Sequence, residues 1–174
     1  MGDNALVFLD IDGVCHPATH AGGDAASDML FVDGSMRLLV AVATAVTPPA
    51  AVVLTSTWRK SPGLAARAHA ALKRYGLRVA GATDVLGGAG VAVRQAEICH
   101  YLRNFPATCF VVLDDLPLAA TPSRGLWGHG AFATLGDHCV RPAPASGLQP
   151  SDATQAQAIL RHRRWTGENF DVET

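Results

Sequence analysis

Residues 5–14 read Ala5-Leu6-Val7-Phe8-Leu9-Asp10-Ile11-Asp12-Gly13-Val14. Five consecutive apolar residues, apolar on both faces of a pleat, predict a strand buried inside a parallel sheet. The run breaks at two carboxylates one residue apart. Gly13 follows, where the chain must turn sharply and positive φ is favoured. Two more runs repeat the arrangement: Ala51-Val52-Val53-Leu54 ends at Thr55-Ser56-Thr57, and Phe110-Val111-Val112-Leu113 ends at Asp114-Asp115. Residues 78–80 and the stretch around Phe132 and Ala133 are shorter strand candidates.

Helical patterns fill the intervals. Met36, Leu39, Val40, Ala43 and Val46 recur at helix spacing before Pro48-Pro49. Ser61-Pro62 reads as an N-cap with proline at the first helical position; Leu64, Ala68, Ala71, Leu72 and Tyr75 form the buried stripe, and Gly76 supplies the stop. A third helix is predicted over residues 93–103, with Phe105-Pro106 ending it. A fourth starts near Pro150 and buries Ala153, Ala156, Ile159 and Leu160. Residues 17–27, 87–92 and 142–147 read as surface loops. Strand alternating with helix predicts an α/β, three-layer Rossmann-like domain on a mainly parallel five-stranded sheet. Ligands in such sheets sit outside the carboxyl ends of the strands, where all three polar clusters fall.

The chain has 174 residues, expected as a single domain with its core over about residues 5–161 and a polar tail over 162–174. Fourteen Lys and Arg against fifteen Asp and Glu leave a formal charge of −1, so no overall basic field draws nucleic acid or an anionic membrane. A local basic groove is compatible with that balance. The apolar runs fall short of the ~20 residues of a membrane span. Met1-Gly2-Asp3-Asn4 has no basic region, so no secretory leader is expected. Cys15, Cys99, Cys109 and Cys139 form no C-x-x-C pair and read as reduced thiols of a cytoplasmic protein. The seven histidines show no metal-ligand spacing. His16 reads as a loop histidine, with lining the cleft as its alternative.

Asp10 and Asp12 repel each other, so keeping both ionised takes a cation or a shared proton. Mg²⁺ suits an all-oxygen site that also binds phosphate, and Asp114 and Asp115 add acids from another strand. A hydroxyl at Ser56 suits one phosphate oxygen and a cation such as Arg94 another. These parts fit phosphoryl transfer, with Asp10 attacking phosphorus to form an aspartyl-phosphate. Asp12 would protonate the leaving oxygen and then deprotonate water. The metal, Ser56 and Arg94 would stabilise charge on the transferring group.

Asp10-Ile11-Asp12-Gly13-Val14, Leu54-Thr55-Ser56 and Leu113-Asp114-Asp115 together resemble the haloacid dehalogenase (HAD) superfamily of phosphohydrolases. Ser56-Thr57-Trp58-Arg59, Arg94-x-x-Glu97-Ile98 and Gly147-Leu148 narrow the resemblance to the HAD-type domain of "Swiss Army knife" RNA-repair proteins, over about residues 5–161. The resemblance implies Asp10 as nucleophile and Asp12 as acid/base, with the Asp12 backbone carbonyl also reaching the metal. It implies Ser56 as the phosphate-binding hydroxyl, with Thr55 the alternative, and Asp114 and Asp115 as the acidic metal motif. Most of the superfamily carries a lysine as the conserved cation. Here Arg94 is best placed, with Lys60 and Lys73 as alternatives. Trp58 reads as packing or as cleft rim, and Arg59 as a surface charge or a substrate contact.

The intervals 15–49 and 60–110 are too short for a substantial cap domain. A capless site implies an open cleft and a large phosphorylated substrate, such as a nucleic-acid end or a phosphoprotein. Arg161-His162-Arg163-Arg164 reads as a solvated face, with nucleic-acid contact as its alternative. The expected function is Mg²⁺-dependent hydrolysis of phosphate monoesters. The alternative is a phosphate- and Mg²⁺-binding signalling or interaction module of the same fold with little turnover. A receiver domain fits less well, because its acid pair lies at the first strand and its single phosphorylated Asp at the third.

Overall fold

The computed structural model describes residues 4–16, 31–119 and 135–165. The chain runs β1 (Ala5–Leu9), α1 (Asp33–Ala43), β2 (Ala51–Leu54), α2 (Pro62–Arg74), β3 (Val79–Ala82), α3 (Val91–Asn104), β4 (Cys109–Leu113), β5 (Cys139–Val140) and α4 (Pro150–His162). The five strands form one parallel sheet in the order β3-β2-β1-β4-β5. Sequence order reverses at β1, which makes its carboxyl end the crevice of this sheet.

β1 alternates its side chains between two cores, as a central parallel strand must. Ala5, Val7 and Leu9 join Met36 and Leu39 of α1, Ala68 and Leu72 of α2, and Ala156 and Leu160 of α4. Leu6 and Phe8 face the other way, with Ile98, Tyr101 and Leu102 of α3 and Phe110 and Val112 of β4. Three helices therefore cover one face, and α3 is the described helix on the other. The α/β, Rossmann-like architecture expected from the alternating pattern is the one observed.

Element ends differ locally from the sequence pattern. α1 stops at Ala43, short of Val46, where the Thr44 hydroxyl donates to the Val40 carbonyl and closes the last turn. α3 opens two residues early, at Val91, with Gly90 before it, so the predicted loop at 87–92 is partly helical. β3 lies over Val79–Ala82 rather than 78–80, with a register shift against β2. The strand expected around Phe132 and Ala133 lies outside the described residues, as does the predicted loop at 17–27. The edge beside β4 is formed by Cys139–Val140. α4 begins as predicted, and there Gln149 and Asp152 form a reciprocal capping box. No helix among the described residues is long and apolar enough to cross a membrane.

Phe8 is fully buried and meets Tyr101 and Phe110 edge-on, each at a 5.6 Å centroid separation. Phe8→Ala should destabilise the protein by ~3–5 kcal/mol, because it removes both ring contacts and leaves a cavity in the α3-side core. Chemical denaturation of the purified variant measures it.

Candidate active site

Sheet register brings the separated motifs together. Leu9 pairs with Leu54 on one side and Leu113 on the other. The ladder then continues by one residue: the Thr55 N–H donates to the Leu9 carbonyl at 2.9 Å, and the Asp10 N–H to the Leu113 carbonyl at 2.9 Å. Asp10, Thr55 and Asp114 thus stand side by side at the carboxyl edge. Phe8, Val53 and Val112, two residues earlier on their strands, all face the α3 core. Period-2 alternation therefore sends the next three side chains the same way, toward α3.

Arg94, in the first turn of α3, meets them there. Its Nη1 donates to Thr55 Oγ1 at 3.1 Å, lies 3.5 Å from Asp10 Oδ1 and pairs closely with Asp114 Oδ2. The other Asp114 oxygen accepts the Leu116 N–H at 2.9 Å. The buried Ser56 hydroxyl hydrogen-bonds the Asp10 carboxylate and also accepts the Trp58 N–H, capping a 3₁₀ turn over Thr57–Lys60. Both candidate hydroxyls are fully buried at the site, Thr55 on Arg94 and Ser56 on Asp10. Gly13 has φ +76°, and a Cβ there would lie 2.6 Å from Asp115 Oδ2. Its lack of a side chain lets Asp115 pack against the β1 turn.

Asp10, Asp114 and Asp115 each offer an oxygen within 4.8 Å of the others. Burial pushes all three carboxyls above their ordinary range. Arg94 opposes the shift in each case, and Asp114 still rises to about 7. Among the described residues, three carboxylates face Arg94, with the Arg141 charge also acting on Asp115, and this leaves a surplus of negative charge that protonation or a cation must relieve. An all-oxygen, net-anionic donor set fits a hard divalent ion such as Mg²⁺.

Asp12 points elsewhere. Its side chain is half exposed, Oδ2 accepts Trp58 Nε1–H at 2.9 Å, and Oδ1 lies 3.1 Å from His16 Nδ1. The turn over residues 11–16, in which the Cys15 and His16 N–H groups both donate to the Ile11 carbonyl, folds His16 back onto Asp12. His16 is therefore a partner of Asp12 rather than an ordinary loop histidine. Trp58 is buried against Phe31 while holding Asp12. Cys15 is fully buried beside the site and its thiol is pushed up to about 12, which fits a structural thiol.

Arg59 is a buried residue of the cleft wall rather than a surface charge. Its side chain is 5 % exposed and Nη2 pairs with Glu97 Oε2 at 2.6 Å. Nε donates to the Thr83 carbonyl at 3.0 Å, and Nη1 to the Thr55 and Ser56 carbonyls. Glu97 was not singled out in the sequence as a site residue. Its position three residues beyond Arg94, on the same helix face, was the available signal.

An open cleft of about 260 Å³ lies over the cluster, lined by Asp10, Asp12, Arg94 and Asp115, by Thr57, Arg59 and Lys60 on one side, and by residues 88–90 and Glu97 on another. Lys60 thus reaches the cleft. Lys73, exposed in the last turn of α2, does not line it.

Comparison with known families matches residues 6–153 to the HAD domain in Swiss Army Knife RNA repair proteins. The chain belongs to this family. The matched span holds the β1 turn, the β2 and β4 ends and the Arg94 helix, so the cluster described above lies wholly within the HAD domain. No curated protein and no solved structure shows significant similarity to the chain.

The raised carboxyls set a signed pH dependence for the HAD domain. Between the ordinary Asp pKa near ~4 and about 7, folded Asp114 holds a proton that the unfolded chain has released. Its contribution to the metal-free protein therefore falls as pH rises through that window. An ion held by Asp114 would displace the proton, so the gain in melting temperature on adding Mg²⁺ should grow from pH 5 to pH 8. Thermal melts with and without the ion read this difference directly, and a gain that is constant with pH would remove the link. Gly13→Ala should cost at least ~1 kcal/mol through strain at positive φ, and should weaken the Mg²⁺ response by displacing Asp115.

Proposed function

We propose that this HAD domain is an Mg²⁺-dependent phosphohydrolase that acts on phosphate monoesters through an aspartyl-phosphate at Asp10. The observation that carries the reading is the convergence of Asp10, Asp114, Asp115, Arg94 and a buried hydroxyl at one sheet edge beneath an open cleft. Membership in a HAD family supports hydrolysis as the reaction class.

Asp10 supplies the nucleophilic carboxylate. One of its oxygens forms the bond to phosphorus as the ester P–O bond breaks, and the leaving oxygen takes a proton from Asp12. Asp12 then accepts a proton from water, whose oxygen attacks phosphorus and releases inorganic phosphate with Asp10 restored. Arg94 lines the cleft next to Asp10 and balances charge on the phosphoryl oxygens, with Ser56 or Thr55 donating a hydrogen bond. Asp10, Asp114 and Asp115 would hold Mg²⁺, together with the Asp12 backbone carbonyl. The ion supplies charge neutralisation that lets the nucleophile approach an anionic ester.

Trp58 and His16 hold Asp12 from two sides, fixing the acid/base at the cleft rim. The substrate in this reading is large and phosphorylated, and a nucleic-acid end is favoured because the family is named for RNA-repair proteins. The cytoplasmic setting belongs to the same proposal, and free thiols at Cys15, Cys99, Cys109 and Cys139 agree with it.

Purified protein with Mg²⁺ should hydrolyse p-nitrophenyl phosphate, and Asp10→Asn should lower kcat by at least ~10³-fold. Asp12→Asn should lower it by ~10²–10⁴-fold. Wild-type rates from Asp10→Asn would remove the nucleophile assignment. Oligonucleotides bearing 3′- or 5′-phosphates should be turned over with higher kcat/KM than the small ester. Equal or lower values would remove the nucleic-acid part of the reading.

A further inference from the structure

Arg59, Glu97 and Arg94 form a buried chain of charges that the proposed chemistry leaves partly unused. Their side chains are 5 %, 4 % and 9 % exposed. Glu97 Oε2 lies 2.6 Å from Arg59 Nη2 and 3.9 Å from Arg94 Nε, and Oε1 accepts the Leu86 N–H at 3.4 Å. Desolvating charged groups costs several kcal/mol apiece, and buried ion pairs are often no more stabilising than apolar residues of the same volume. Stability alone is therefore a weak reason for three such residues to meet here.

Their hydrogen bonds point to geometry. The Arg59 fork reaches the Thr55 and Ser56 carbonyls at the end of β2 and the Thr83 and Asp84 carbonyls beyond β3, then closes on Glu97 of α3. One planar cation thus clips two strand ends to the helix that carries Arg94, a task that a lysine's single ammonium does not reproduce. Arg94 is drawn from one side by Asp114 and Asp10 and from the other by Glu97. Without Glu97, every remaining ionic partner of Arg94 among the described residues lies in the acid cluster, so the pull on the guanidinium becomes one-sided.

We propose that Arg59 and Glu97 are positioning residues that aim Arg94 at the phosphate-binding end of the cleft. The proposal rests on the phosphate-binding part of the reading above but not on turnover.

Titration calorimetry of inorganic phosphate with Mg²⁺ present tests it as a double-mutant cycle on wild type, Glu97→Gln, Arg94→Ala and the double variant. Glu97→Gln should weaken phosphate binding by ~10-fold, the scale of one charge-assisted hydrogen bond. The double variant should bind within about twofold of Arg94→Ala alone, because Glu97 acts through Arg94. Arg59→Lys, which keeps the charge and loses the fork, should weaken binding in the same direction. Near-UV circular dichroism checks folding, and if Glu97→Gln does not fold, Arg59→Lys replaces it in the cycle. Phosphate binding by Glu97→Gln within twofold of wild type overturns the proposal, as do losses that multiply in the double variant. Wild-type protein that binds phosphate but hydrolyses no ester removes the phosphatase reading and leaves the positioning role standing. Wild-type protein that binds no phosphate removes both.

Discussion

Leu9 pairs with Leu54 on one side and Leu113 on the other, and the chemistry at the sheet edge depends on that alignment. A slip of one residue in either ladder would turn Thr55 or Asp114 to the opposite face, because side chains alternate along a strand. The register is held by burial on both faces, with Phe8, Val53 and Val112 on the α3 side and Val7, Val52 and Val111 on the other. The hydrophobic core thus acts as the jig for the acid cluster.

That jig imposes an electrostatic cost. Asp10 and Asp114 lie where burial disfavours their charged forms, with Asp115 close by. Arg94 offsets part of it and is in turn steered by Glu97 and the Arg59 fork. A site left with surplus negative charge is poised to take up a cation. The same residues therefore serve the local electrostatics and the chemistry proposed for the cleft.

Much of this was legible in the sequence for a simple reason. Strand and helix periodicities are intrinsic to the backbone, so the apolar runs at 5–9, 51–54 and 110–113 and the stripe on α2 announce themselves residue by residue. Punctuation was legible as well, with Ser61-Pro62, Gly76 and Pro150 marking helix ends as observed. Less so were α1, where Thr44 ends the helix before its apolar pattern does, and the short β3 edge strand, whose own residues alternate between half-buried and exposed instead of forming a buried apolar run.

The sequence by itself determined the α/β class, the order of the elements and which acids end which strands, because those follow from local patterns and from family motifs. Tertiary structure alone decided who meets whom. Charged residues read as exposed by default, so nothing local marks Arg59 and Glu97 as buried partners. Trp58 reaches Asp12 and Arg94 reaches Asp114 only once crossover connections have stacked β1, β2, β4 and α3. A hydrogen bond needs its two groups within about 3 Å, and for residues distant in the chain only the packed fold supplies that proximity.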